Sequence, residues 1–369
     1  MFNKKGSAMD VIEPGMTPKD RARAYAAGEE VDRMPISWSA GETTPVLFGY
    51  RMPDYYFSAD VMVDVESRLA DEFHADNMGV GLGLRTLAEA LGTELTYPEF
   101  DVSYMSKPRL TSLSQVNELS LVDINKDGRL PIIVESFDRL IDKYGDQRNL
   151  GSGLAGPLTT AGHLIETETL LRAMVKDKEG VHRLMQFTTD CVVSVAHDLH
   201  ERLGISLSLA EPMASADLLS KRQFNEFFLP YLKQTVQRLN EFQGKTSMHI
   251  CGHTRDRWDE VVSSGICAFW VDNCESMRDL KELHGDKIGI VGNVAPVDII
   301  RNGTPEQVDA AVKHCIEDAA DNPCGYTLCP GCTVPIGTPR ENLVAFVNAA
   351  ATWGKGSRKG HMPLGIEQG

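Results

Sequence analysis

The 369-residue sequence predicts an α/β protein, a (β/α)8 TIM barrel with an N-terminal extension and an inserted segment. Three observations carry that expectation. Short apolar runs alternate with longer amphipathic stretches along most of the chain. Several of the runs are continuously apolar, as parallel strands buried on both faces require. No Gly/Ser-rich hinge, low-complexity tract or internal repeat divides the chain. A doubly wound open sheet is the alternative that the same alternation allows.

The expected strands lie at 34–38, 76–82, 149–155, 205–210, 246–251, 268–271, 288–292 and 325–329. Between them, Val181, Leu184, Cys191, Val192, Val195, Leu199 and Leu203 recur at spacings of three and four, which marks one long helix. Thr304-Pro305-Glu306-Gln307 and Thr338-Pro339-Arg340-Glu341 each place an N-cap Thr before Pro, with Gln or Glu at the third helical position. Residues 93–133 fit neither period and read as an insertion, with a hairpin near the barrel mouth. The organisation expected is a tail over 1–16, one barrel domain over 17–354 and a second tail over 355–369.

Composition narrows the function. With 37 Lys plus Arg against 52 Asp plus Glu, the net charge of −15 argues against sequence-independent nucleic-acid binding, which needs a basic face. The same charge is repelled by an anionic leaflet. No apolar stretch is long enough to span a bilayer, and no hydrophobic segment follows Lys4 and Lys5 to make a secretory signal. Eight cysteines in a chain of this length are not a disulfide framework. The expectation is a cytoplasmic protein whose cysteines serve metal or thiolate chemistry.

The most informative string is Met248-His249-Ile250-Cys251-Gly252-His253. Residues i and i+2 of a strand share a face, so His249 and Cys251 point together at the C-terminal end of their strand. Barrel active sites lie at that end. An imidazole and a thiol there are two legs of a zinc site, although a packed core pair reads the same. A third ligand is available from Cys329-Pro330-Gly331-Cys332, at the end of the last strand. One His and two Cys leave a fourth position open, as in a catalytic zinc site. His253 is the reserve ligand. The Cys-x-x-Cys spacing also suits thiol–disulfide exchange, but no thioredoxin-like context surrounds it.

Glu211, Asp272 and Asn293 each follow a predicted strand. A carboxylate at such a position orients a metal-bound His or meets substrate, so Glu211 and Asp272 are the candidate catalytic residues. The competing reading for each is a helix cap or a salt bridge. Glu42, Asn293 and Tyr326 are the candidates for substrate or cofactor binding. Gly79-Val80-Gly81-Leu82-Gly83 lacks both nucleotide-loop spacing and a Walker lysine.

Together these residues resemble the uroporphyrinogen decarboxylase superfamily, and within it the zinc- and corrinoid-dependent methyltransferases. The resemblance runs from about residue 17 to 350. It rests on Thr17-Pro18-Lys19-Asp20-Arg21, Val31-Asp32-Arg33-Met34-Pro35, Gly156-Pro157-Leu158-Thr159, Gly292-Asn293-Val294-Ala295-Pro296 and Pro330-Gly331-Cys332. Its decisive part is His249-x-Cys251 with Cys332, similar to the His-x-Cys…Cys zinc motif of methylcobalamin:thiol methyltransferases. Decarboxylases use N-terminal arginines for their polycarboxylate substrate, and 35–42 has none.

The resemblance implies Zn2+ on His249, Cys251 and Cys332. It also implies methyl transfer between a small methylated compound, an aromatic methyl ether or thioether, and a corrinoid. That corrinoid is held by a separate protein, because no Asp-x-His-x-x-Gly stretch is present. The alternatives are a methylcobalamin:thiol methyltransferase of the coenzyme M type, a uroporphyrinogen decarboxylase, and a regulatory barrel with structural zinc. A homodimer is expected by analogy with the decarboxylases. Phe48, Tyr50, Tyr55, Tyr56 and Phe57 either line a pocket for an aromatic ring or pack an N-terminal subdomain.

Overall fold

The computed structural model describes residues 10–38 and 41–368. Its centre is a parallel sheet of six strands, β3 (Gly151–Ala155), β4 (Ser206–Ala210), β5 (Ser247–Ile250), β6 (Ala268–Val271), β7 (Gly289–Val294) and β8 (Tyr326–Pro330), in sequential order. The two expected N-terminal strands close the barrel but form no extended ladder. Ile36 pairs with Leu328 of β8, and Met78 pairs with Leu150 just before β3.

The physical reason for the short pairing lies in side chains. Between these two segments one backbone bond forms, from the Asp76 amide to the Ile36 carbonyl at 3.3 Å, and two amides of the first segment turn to polar side chains in place of a partner strand. The Ile36 amide donates to Asp76 Oδ2 at 2.8 Å and the Trp38 amide to Asn77 Oδ1 at 2.8 Å. Asp76 also accepts from Arg33 at 2.8 Å and pairs with Arg21, whose guanidinium is held on its other edge by Asp32 at 2.6 and 2.7 Å. Arg21 and Arg33 are 1% and 3% exposed, so the opening motif of the sequence is a buried ion cluster.

The long helix forms over Lys178–Leu203, with Val181, Leu184, Cys191, Val192, Val195 and Leu199 buried. Thr304 caps Pro305–Ala319 with the expected box. Thr338 does not cap its helix: that helix starts at Arg340 behind Pro339, and the Thr338 hydroxyl donates back to the Pro335 carbonyl at 2.8 Å. Residues 93–133 contain an antiparallel hairpin of β1 (Glu94–Thr96) and β2 (Tyr104–Lys107). No helix among the described residues is long and apolar enough to cross a membrane.

The aromatic stretch is mostly packing. Tyr55 and Tyr56 are buried, Tyr56 meets Tyr97 of the hairpin segment edge-on at 5.1 Å, and only Phe57 is half exposed. Tyr55 donates to Glu66 Oε1 at 2.8 Å, and burial pushes the Glu66 carboxyl up to about 8. The folded state therefore holds a proton on Glu66 that the unfolded chain has released above its ordinary value near 4.5. Stability is then greatest below pH 4.5 with respect to this group and falls as pH rises to 8, by at most about 1.4 kcal/mol per pH unit. Denaturant titrations at pH 6 and 8.5 should show this loss in wild type and a flatter profile in Glu66→Gln. An equal slope in both would assign the pH dependence elsewhere.

Candidate metal centre

His249 is the third residue of β5, and Cys251 follows the strand's end on the same face. The chain then turns at Gly252, whose φ of +72° and close approach to Asp217, 2.2 Å from a hypothetical Cβ, admit no side chain. Cys332 stands two residues beyond β8. Gly331 permits its approach, since a Cβ there would lie 2.6 Å from the Asn273 amide nitrogen.

These three side chains converge. His249 Nε2 lies 3.0 Å from Cys251 Sγ, and Cys251 Sγ lies 3.5 Å from Cys332 Sγ. All the ligand atoms fall within 4.8 Å of one another, and among the described residues this is the one His/Cys/Asp/Glu cluster with such spacing. A tetrahedral zinc with Zn–S of about 2.3 Å and Zn–N of about 2.0 Å separates its donors by roughly 3.5 to 3.8 Å. The set therefore fits zinc in donor type, with the two sulfurs at tetrahedral spacing and the imidazole nitrogen about half an ångström closer to Cys251 than in a loaded site.

The imidazole is oriented for that task. Its Nδ1 faces the Trp270 carbonyl oxygen at 2.9 Å. A carbonyl only accepts, so Nδ1 carries the proton and the Nε2 lone pair points at the sulfurs. Between the sulfurs, the hydrogen bond from Cys251 draws the Cys332 thiol below its ordinary pKa, and the same bond raises Cys251.

The surrounding candidates divide into neighbours of the centre and residues placed elsewhere. Asp272 follows β6 and accepts from the Gly252 amide at 2.9 Å and the Cys274 amide at 3.1 Å, which pins the turn after Cys251. Asn293 donates to the carbonyls of Asp272 (3.0 Å) and Glu275 (2.8 Å), so it holds that loop rather than offering its amide donor outward. Glu211 is fully buried and caps the helix Pro157–Ile165. It accepts from the amides of Leu158 and Thr159 at 3.0 and 2.8 Å and from the Thr159 hydroxyl at 2.7 Å. Burial pushes its carboxyl up to about 7 against those three donors. The helix cap is the position the sequence allowed as its competing reading.

Tyr326 is 1% exposed and its hydroxyl donates to the Gly292 carbonyl at 2.5 Å, so it supports the strand ends. Glu42 has Tyr56 Oη at 3.5 Å, and burial raises its carboxyl against the opposing charges of Arg129 and Arg85. None of these partners belongs to the metal cluster. His253 is 66% exposed and pairs with Asp217 at 2.9 Å, and Cys329 is buried with its thiol pushed up by burial.

Sequence reasoning missed Trp270 and Glu275. Glu275 accepts from the Arg255 amide at 2.9 Å and from the Thr254 amide, fixing the loop beyond His253. Trp270 stacks on His249 with ring centroids 4.0 Å apart. The only sequence signal for it was its place two residues before Asp272 on the same strand face; its register opposite His249 belongs to the fold.

Fold and site together define a parallel barrel with a soft, three-ligand candidate metal centre at its C-terminal strand ends. The chain belongs to the uroporphyrinogen decarboxylase (URO-D) family, whose sequence model matches residues 17–353. It is 28% identical over 338 residues to a methylated-thiol–coenzyme M methyltransferase of Methanosarcina mazei, covering 90% of this chain and 89% of that protein. It is 25% identical to a methylcobamide:CoM methyltransferase of Methanosarcina acetivorans, covering 91% and 98%. A solved methyltransferase from Methanosarcina mazei shares the fold, with a TM-score of 0.79 at 24% identity over 91% of this chain and 98% of that one.

Proposed function

We propose that the protein transfers a methyl group between the cobalt of a corrinoid, carried by a separate protein, and a small sulfur compound held at zinc on His249, Cys251 and Cys332. The observation that carries this reading is the convergence of one buried imidazole and two partly exposed sulfurs at the C-terminal strand ends, a three-donor set. Zinc bound there supplies a Lewis acid that keeps a substrate thiol as its thiolate near neutral pH.

The chain's own residues supply the geometry. The Trp270 carbonyl fixes the His249 proton on Nδ1, and Asp272 and Asn293 hold the loops beside the ligands. Two thiolate ligands soften the site, which favours sulfur over an ether oxygen. The methyltransferases of the two Methanosarcina species have a thiol acceptor in their names, and this supports the sulfur side of the expectation over the aromatic ether. Decarboxylation, the activity in the family's name, suits the site less. Segment 35–42 carries no arginine for a polycarboxylate and ends on Glu42 instead. A cytoplasmic setting accords with the eight unpaired cysteines among the described residues.

The test is spectroscopic. The zinc-loaded protein is mixed with methylcobalamin and a panel of thiols, and in a parallel series with cob(I)alamin and methyl thioethers, ethers and amines. The expected result is thiol-dependent loss of the methyl-cobalt absorption, or its appearance from a thioether. Turnover of ethers alone would move the assignment to demethylation at oxygen. No change with any compound would overturn the methyltransferase reading.

A further inference from the structure

We infer that Trp270 is a positioning residue for the metal centre, clamping the His249 and Cys332 sides of the site in one register. The inference rests on the reading of His249, Cys251 and Cys332 as metal ligands. Trp270 stands on β6, directly opposite His249 of β5 in the parallel register. Three contacts leave it in different directions. Its main-chain carbonyl accepts from His249 Nδ1 at 2.9 Å. Its indole lies against the imidazole, 4.0 Å between centroids and 33° between planes. Its Nε1–H donates to the Pro330 carbonyl at 2.7 Å, at the last residue of β8 and two residues before Cys332.

One side chain thus ties the strand bearing the imidazole to the strand that delivers the distant thiol. The first contact sets the tautomer and the second sets the ring plane. The third fixes where the 330–332 segment leaves β8. A residue present only for packing would look like its neighbour Phe269, which is fully buried; Trp270 remains partly exposed, and its polar atom is spent on the site. Outer-shell partners that orient a ligating His typically change metal affinity by about 10- to 100-fold when removed.

The test uses Trp270→Phe, which keeps a ring against His249 but loses the bond to Pro330, and Trp270→Leu, which loses both. Zinc affinity is measured by competition with a chromophoric chelator, and the Co2+-substituted proteins are compared by their thiolate-to-cobalt charge-transfer bands. Thermal unfolding of the same samples reports folding. The expected result is about 10-fold weaker zinc binding in Trp270→Phe and about 100-fold in Trp270→Leu, with altered charge-transfer bands in both. If folded Trp270→Phe and Trp270→Leu bind zinc as wild type does, with unchanged cobalt bands, the inference is overturned and the site reading stands. If wild type itself binds neither ion, both fall together.

Discussion

Replacing Cys332 by alanine is expected to strip the protein of its metal, while Cys329→Ala keeps it. Among the described residues three donors converge, so loss of one leaves a two-ligand site in place of a three-ligand one. The loss of affinity should exceed the roughly 100-fold that outer-shell changes reach. Methyl transfer should fall with it. Cys329, three residues earlier, is 1% exposed, and its burial keeps its thiol protonated. Removing its sulfur costs packing and no ligand. Metal analysis of the two purified variants beside wild type decides the matter. Equal loss in both would mean that the Cys-x-x-Cys pair forms a closed structural site, and the enzymatic reading would lose its open coordination position.

The second large effect lies at barrel closure. Asp76→Ala removes the carboxylate that faces two buried guanidiniums and the Ile36 amide. Arg21 retains Asp32, but Arg33 is left with the carbonyls of Met34 and His74 and only the weaker charge interaction with Asp32. Burial already holds the Arg33 pKa below its ordinary value, with the Asp76 charge opposing the shift. Breaking one side of a buried ion pair costs about 3–5 kcal/mol, a large share of the roughly 5–15 kcal/mol that a folded domain has. Urea unfolding should show the midpoint falling at unchanged slope. A loss below about 1 kcal/mol would mean that water or relaxation compensates Arg33, and that the short pairing of the first two strands does not depend on this cluster.

Much of this was legible because it is local. Apolar runs between amphipathic stretches located the six central strands, most plainly Ala268–Val271, which is apolar throughout, and less plainly β3 and β4, which carry Ser and, in β3, Gly. The period of two placed His249 and Cys251 on one face. The first two strands were legible as positions but not as ladders, because nothing local says that Asp76 and Asn77 will take the amides of Ile36 and Trp38. The same limit applied to Thr338. Its cap signature was present, yet helix entry at Arg340 follows the 335–339 turn.

The candidate site shows the division most clearly. The sequence by itself determined the class of fold, the strand-end placement of the imidazole and thiols, and a donor set suited to zinc, because these follow from residue type and short-range periodicity. Only the tertiary structure decided that Cys332 reaches Cys251 across 81 positions while Cys329 stays in the core. It also decided that Glu211 is a helix cap, that Tyr326 is spent on Gly292, and that Trp270 joins two strands of the centre. Those outcomes depend on strand register and on which partner a buried polar group finds. Both are settled by packing the whole barrel at once, and no stretch of a few residues encodes them.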